Sequence, residues 1–493
     1  MLRSLLIVCW TLNYLISLDA QRILNVGPGQ TYANPAAAAA VALPGDLIRI
    51  HPATYQGSFF INNLKGTANA WIRIEGTQRD QVIFQGGSES MHFTDAEYLH
   101  ISNITVRGQT GNGMNIDDAG TFESPTKFII IEHCTFRDMA ATGNNDLLKL
   151  SGLDSFTIQH CHFENGSAGG SGIDMVGCHA GIIRNNRFIQ MGSNSIQAKG
   201  ASSQIQILAN YFTQGGQRTL NLGGSTGAAF FRPSGANYEA KDLLAAANVF
   251  EGSTAPVAFV GCRNVVVTNN TIIRPDRWIL RILQESSDTS FYQSCANNRF
   301  VNNIVVVNNQ LSTDLNIGPN TSPSTFQFAN NLWYHLDNAG WRGPQLPATE
   351  TQGIVQQNPQ FVNFNGANYH LLNTSPAIGK GRNEPLALLD FDGNGFLNPR
   401  SIGAFEGGKL TNVSEDEQSW IALYPNPVSA QLHLPKSTAK LQYTIVRMDG
   451  SVIRTGTYQP TDQGMDVSLL PSGAYIIQWY QDHQFAYGRF IKQ

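Results

Sequence analysis

A six-residue pattern returns along the middle of the chain and constrains everything around it. It reads IEHCTF ending at Phe136, IQHCHF at Phe163, IRNNRF at Phe188, ILANYF at Phe212, AAANVF at Phe250 and VTNNTI at Ile272. Successive copies end 27, 25, 24, 38 and 22 residues apart, and FVNNIV and FANNLW continue the series. Short apolar alternations of period two fill each unit, divided by Gly, Asn and Ser turns. A unit of this length cannot bury its apolar face alone, so it must stack on its neighbours. Period-two strands repeating every twenty-odd residues predict a parallel β-helix, in which each coil pairs with the next. Leucine-rich repeats have a similar period, but their LxxLxL pattern is missing. Cys134, Cys161, Asn186, Asn210, Asn248 and Asn270 hold the same place in successive units. They predict an internal stack at a turn, where Asn side chains bond along the axis and Cys serves as a small buried group.

The start of the chain has a different character. Arg3 is followed by an apolar run from Leu5 to Leu18 and then Asp19-Ala20-Gln21, the layout of a secretory signal over residues 1–20 with cleavage after Ala20. That run is short for a membrane span, and no later segment is long and apolar enough for one. Next, ANPAAAAAVALPGD predicts a short helix from Asn34 to Ala42, placed to cap the open end of the first coil. Five cysteines lie beyond the signal, namely Cys134, Cys161, Cys178, Cys262 and Cys295. An odd, sparse set is not a disulfide framework, and the lack of a CxxC pair argues against zinc. A net charge of −4 argues against a nucleic-acid partner, which requires a basic surface.

Counting forward from each turn finds a second alignment. Asn186 to Gln197, Asn210 to Asn221 and Asn270 to Arg281 are each 11 residues, and Cys161 to Asp174 and Cys134 to Lys149 are 13 and 15. The local triplets are LKL, IDM, IQA, LNL and LRI, each with one polar residue between apolar neighbours. Strand alternation sends the neighbours inward and the middle residue outward. Lys149, Asp174, Gln197, Asn221 and Arg281 are therefore expected in one line on a single face, with Ala258 in the gap before Arg281. Lys199, two residues after Gln197, faces the same way, and Arg218 stands at the turn entering its strand. The spacing of 38 marks an insertion, STGAAFFRPSGANYEA, carrying Arg232, Tyr238 and Glu239. PDRWILRILQES adds Arg277, Trp278, Gln284 and Glu285 on a later coil. Such a cluster suits a groove for an extended acidic ligand; the alternative is a solvated sheet face with scattered cations.

An acidic polysaccharide fits a long shallow groove on a secreted chain. Cleaving a uronic acid polymer by β-elimination requires a base for the proton α to the carboxylate and cations to neutralise the enolate-like charge. Lys199 is the expected base, Arg218 or Arg232 the neutraliser and Tyr238 the donor to the leaving oxygen. Lys149, Asp174, Gln197, Asn221, Arg232, Glu239, Arg281 and Glu285 are the expected binding residues. Glycoside hydrolysis needs two carboxyl groups instead. Candidates are Asp146, Asp174, Glu239 and Glu285, with Asp174 and Glu239 the preferred pair. A uronate epimerase and a non-catalytic glycan-binding or surface protein are the remaining readings.

The opening coils, LPGDLIRIHPATYQGSFFINNLKGTANAWIRIEG followed by AEYLHISNITVRG, resemble those of secreted right-handed parallel β-helix proteins, among them alginate and chondroitin lyases related to chondroitinase B. SIQAKGASSQIQILANYF is similar to the strand that carries the catalytic lysine in that lyase family, which implies Lys199 as base. The family's acidic calcium ligands shortly before that lysine are replaced here by Ser193, Asn194, Ser195 and Gln197, and its arginine on the next coil falls near Gly223. Residues 358–407 resemble the closing coils of bacterial extracellular β-helix proteins. Within them Asp390, Asp392 and Asn394 have the spacing of the first half of a calcium loop, while Ser401 stands where its Glu belongs, so calcium and a hydrogen-bonded turn are both open. After a polar linker at 409–422, LYPNPVSAQLHLP, MDGSVI, LPSGAY and RFIKQ resemble the C-terminal sorting domain of the type IX secretion system. That implies a Bacteroidetes-type bacterium and the type IX machinery as partner. The expected architecture is all-β: a β-helix domain over 21–408, with the capping helix, and a small β-sandwich of about seven strands over 423–493, with hairpin turns at Asp449-Gly450 and Pro471-Ser472-Gly473. A secreted or surface-bound monomer is expected.

Overall fold

The computed structural model describes residues 21–407 except 121–123, and residues 423–492 except 435–440, 448–451, 460, 463, 472 and 482–483. The expected signal at 1–20, the linker at 409–422 and the turn at Asp449-Gly450 lie outside the described residues.

Each turn of the coil lays down three short strands. Thr126–Glu132, Thr135–Arg137 and Leu148–Ser151 form one turn, and Leu153–Gln159, His162–Glu164 and Ser171–Val176 form the next. Equivalent strands pair in parallel, with Thr126 opposite Leu153, Thr135 opposite His162 and Leu148 opposite Ile173. Among the described residues this repetition builds three parallel sheets of 15, 12 and 10 strands.

The corner between the first and second strands explains the repeated Asn-Asn. The first residue of the pair adopts the left-handed conformation at Asn185, Asn269, Asn302 and Asn330, with φ between 51° and 58°. Asn tolerates that region better than most residues with a Cβ. The second residue turns inward and joins a ladder. Asn210 Oδ1 accepts from the Asn186 backbone N–H at 3.0 Å, Asn248 Oδ1 from Asn210 at 2.9 Å and Asn270 Oδ1 from Asn248 at 2.9 Å. Asn303 and Asn331 extend the ladder, and Glu350 ends it by accepting from the Asn331 N–H at 3.1 Å. Next to the ladder Phe136, Phe163, Phe188, Phe212 and Phe250 stack with centroids 4.7–5.1 Å apart.

The helix is shorter than expected, Pro35–Ala39, with Asn34 as N-cap accepting from the Ala37 N–H. Its Ala38 packs into the first-turn core. The last coil strand is Ile354–Val355. Residues 358–407 add no further coil, contrary to the expectation for them. They return along the outer face of the second sheet, where Tyr369, Leu371, Ile402, Ala404 and Phe405 cover Val249, Ile273, Ile304, Val306 and Leu332. Those strands are apolar on both faces and need such a cover.

Past residue 422, a four-stranded antiparallel sheet and a separate two-stranded pair share one apolar core around Tyr475, Ile477 and Trp479. That makes six strands among the described residues. The expected turn at Pro471-Ser472-Gly473 includes Ser472, which lies outside the described residues; the strands before and after it, Met465–Asp466 and Gly473–Gln481, pair with different partners.

Candidate functional site

The third sheet carries the polar column. Parallel pairing places Asn115, Lys149, Asp174, Gln197, Asn221, Ala258, Arg281 and Asn316 opposite one another in sequence. Their neighbours Leu148, Leu150, Ile173, Met175, Ile196 and Ala198 belong to the core, so the column faces away from it. The register runs further than the expected line, through His92 and Phe60. The expected line did not include His92 and Asn115, which lie before the first copy of the corner pattern, although Met91-His92-Phe93 and Met114-Asn115-Ile116 carry the same apolar-polar-apolar signal.

The middle of the column is outward but covered. Asp174 is 0% exposed, and Lys149 and Lys199 both bring their ammonium groups to its Oδ2 atom, Lys199 at 3.2 Å. Lys199 Nζ also donates to Gln197 Oε1 at 3.3 Å. The other Asp174 oxygen, Oδ1, is buried without a hydrogen-bond partner. Asp146 lies 3.6 Å from Lys149 Nζ. Burial pushes its carboxyl up to about 6, and the nearby Asp174 adds to the effect. Burial works against the Lys149 ammonium, but Asp174 and Asp146 outweigh it and raise that group above the ordinary lysine range.

One turn on, the charges become cationic. Arg218 donates to Asn221 Oδ1 at 3.4 Å and pairs with Glu285 at 2.5 Å. Arg281 donates to Asn316 at 2.9 Å, and its guanidinium lies 4.5 Å from the centroid of Trp278. Arg277 sits 4.1 Å from the same ring. Burial lowers Arg281 from its usual range, Arg218 and Arg277 lower it further, and Glu285 opposes them. At the other end His92 stands between Glu89 at 2.9 Å and Asp117 at 2.6 Å. Hydrogen bonds to Asp117 and Glu89 raise its imidazole to about 9.

The insertion does something other than expected. Arg232 is a strut rather than a groove cation. It makes two hydrogen bonds to Asp154, at 2.7 and 2.9 Å, and donates to Gly177 O at 3.1 Å. Burial alone would raise Asp154, but Arg232 and His179 hold it down at about 2. Gly177, at φ +62°, is what lets the insertion seat, since a Cβ there would lie 2.6 Å from Arg232 Cβ. Glu239 is also structural. It is fully buried and accepts from Gly200 N, from Thr226 N and Oγ1, and from Ser286 Oγ. Tyr238 is engaged by Lys241, whose ammonium lies 4.7 Å from the ring centroid, and none of its described contacts joins it to Lys199. Asp146, Asp174 and Glu239 are each at most 1% exposed, so they are not the open carboxyl groups expected of a hydrolase.

The Asp390 loop forms a hydrogen-bonded turn. Asp390 Oδ1 accepts from Asp392 N at 3.1 Å and Asn394 N at 2.7 Å, and Oδ2 accepts from Glu406 N at 3.0 Å. Asp392 pairs with His370 at 2.7 Å. Burial pushes Asp390 up to about 6. Asp390 is thus bound by three backbone amides and Asp392 by a histidine, the hydrogen-bonded turn that the spacing leaves open beside calcium.

A family model described as the right handed beta helix region matches residues 89–232 and 148–335, which together span half of the chain. The chain belongs to the right-handed β-helix family. A second model, the secretion system C-terminal sorting domain, matches residues 422–493. This β-helix protein is therefore a client of the type IX secretion machinery and is delivered to the cell surface or beyond. No helix among the described residues is long and apolar enough to cross a membrane. Among solved structures it is similar to pectate lyase Pel9A, at 15% identity and a TM-score of 0.51, covering 80% of this chain and 98% of that one. It is also similar to an alginate lyase from Paenibacillus sp. str. FPU-7, at 15% identity and a TM-score of 0.40, covering 68% and 99%. Comparison with curated proteins gives no match.

Proposed function

We propose that this exported β-helix cleaves a uronic acid polymer by β-elimination, with Lys199 as base and Arg218 as the neutralising cation. The observation that carries the reading is the convergence of the two residues on the same column. Lys199 bonds Gln197, Arg218 bonds Asn221, and Gln197 and Asn221 are register partners on adjacent turns. Likeness to pectate lyase Pel9A at this identity carries the fold alone, so the case rests on the column.

The chemistry follows from the pairing. Glu285 holds Arg218 with a carboxylate, the group that a uronate would present, and its side chain is 35% exposed and free to swing aside. A substrate carboxylate taking that place has its charge neutralised before the α-proton leaves, which lowers the cost of the enolate-like state. Lys199 must turn from Asp174, give up its extra proton to solvent and reach the substrate as the neutral amine, the form that can accept the α-proton. Lys149, bonded to the same Asp174 oxygen, keeps that buried carboxylate paired when it does. Arg277 and Arg281, whose guanidinium groups lie over the Trp278 ring, add two more cations beside the column for a neighbouring acidic sugar. Hydrolysis is disfavoured because Asp174 is buried beneath two lysines and Glu239 is buried and committed to the insertion.

The test is incubation of the full chain with a panel of uronic acid polymers, with and without a chelator. An unsaturated product absorbing in the ultraviolet is expected, and Lys199→Ala should abolish it while the chain stays folded. Reducing ends without that absorbance would support hydrolysis instead, and retention of polymer without turnover would support a binding protein.

A further inference from the structure

Five cysteines among the described residues are buried as free thiols, but they are not equivalent. Cys134, Cys161 and Cys178 each donate to backbone carbonyls. Cys134 meets Glu132 O at 3.3 Å, Cys161 meets Gln159 O at 3.3 Å, and Cys178 meets Val176 O at 3.6 Å. Cys134 and Cys161 also face each other on adjacent turns, but each of those thiols is tied to a backbone carbonyl as well, whereas Cys262 and Cys295 bond to each other with their sulfur atoms 3.9 Å apart. They come from adjacent turns. Arg263 bridges Ala296 in parallel, which sets the two preceding cysteines opposite one another. Neighbouring strands lie about 4.8 Å apart, inside the Cα range a disulfide spans, about 4.4–6.8 Å. Closing the sulfurs from 3.9 Å to the bonding distance of about 2 Å also draws the two Cβ atoms into the roughly 3.5–4.5 Å that a disulfide spans, so the two turns move slightly together here.

We propose that Cys262 and Cys295 are oxidised to a disulfide once the chain is exported. The sorting domain sends the protein to a compartment where disulfides form and persist. Both sulfurs are fully buried, so the reaction takes place before this turn packs. One thiolate attacks a disulfide-bearing oxidant, such as oxidised glutathione, and forms a mixed disulfide while one glutathione thiol departs. The second thiolate attacks the protein sulfur of that mixed disulfide and expels the other glutathione thiol. Two protein thiols are oxidised, one glutathione disulfide is reduced to two thiols, and the two protons pass to the departing thiolates. The bond fixes the segment that leads away from Glu285. Cys295 N donates to Gln284 Oε1 at 2.9 Å, and Ser286 donates to Glu239 at 2.6 Å, so the cross-link anchors one wall of the polar column. It does so whatever the column binds.

The experiment is alkylation of the full chain recovered from the exporting cell's surface or medium, denatured without reductant and read by peptide mass spectrometry. The expected result is label on Cys134, Cys161 and Cys178 only, a cross-linked peptide joining Cys262 to Cys295, and label on all five after reduction. Chain refolded from reductant into a mixture of reduced and oxidised glutathione should give the same pair. In Cys262→Ser the cross-link disappears and Cys295 takes label; Cys295→Ala serves if that variant fails to fold. Label on all five cysteines of the exported chain, or a cross-link between any other two, overturns the proposal.

Discussion

Two columns of side chains run along the coil, one inside and one outside, and both obey the register that pairs each turn with the next. The inner one repeats itself: Asn186, Asn210, Asn248, Asn270, Asn303 and Asn331, each solving the same corner in the same way. The outer one changes from turn to turn, since no two successive positions among Asn115, Lys149, Asp174, Gln197, Asn221, Ala258, Arg281 and Asn316 carry the same residue. Uniformity marks the column that holds the fold, where every turn must bury the same amide. Variety marks the column free to do chemistry.

This contrast predicts a split between stability and function. The largest loss of stability belongs inside. Asn270 accepts from Asn248 and donates to Ala245 O, Thr268 O and Asn303, all buried. Asn270→Ala strands several of those groups and should cost about 3 kcal/mol in chemical denaturation. A cost near zero would show that the ladder is incidental.

Arg232 falls between the two columns, because it anchors the insertion. Arg232→Ala should cost about 1–2 kcal/mol at neutral pH, given that its Asp154 partner is still partly exposed. The pH dependence has a definite sign. Asp154 is held at about 2 against an unperturbed 3.8, so its contribution is complete above 3.8 and is lost as pH falls through 2. Unfolding midpoints measured across that window should fall more steeply for wild type than for Arg232→Ala. Parallel curves would mean that the pair does not stabilise the fold.

The smallest stability effect belongs outside. Glu285→Gln removes the charge on an exposed pair and should change stability by less than about 1 kcal/mol. It should nevertheless tighten binding of an acidic polymer several-fold, because Arg218 no longer carries an internal carboxylate. Unchanged or weaker retention on a uronate matrix would separate Arg218 from ligand binding.

The same contrast explains what could be read from the sequence. The coil, the ladder and the register of Lys149, Asp174, Gln197, Asn221 and Arg281 follow from local periodicity, because each turn copies its neighbour. The partners of Arg232 and Glu239 did not follow. Asp154 lies 78 residues before Arg232, and Ser286 lies 47 after Glu239, with no spacing rule to link them. An insertion interrupts the copying, so its contacts are set by where it lands. The return of residues 358–407 along the second sheet was hidden for the same reason. Its signal was the doubly apolar strands, such as Ile304–Val307, which require a cover. The meeting of Cys262 with Cys295 depends on the long loop between two turns and shows in no motif.

The central claim is that the outer column holds an acidic polymer with a carboxylate on Arg218. Crystals of Lys199→Ala, inactive and so unable to consume its ligand, can be soaked with a uronate oligosaccharide. The account predicts sugar rings lying along Asp174, Gln197 and Asn221, one carboxylate on the Arg218 guanidinium and Glu285 displaced. An oligosaccharide bound on another face, with the Arg218–Glu285 pair intact, would contradict it.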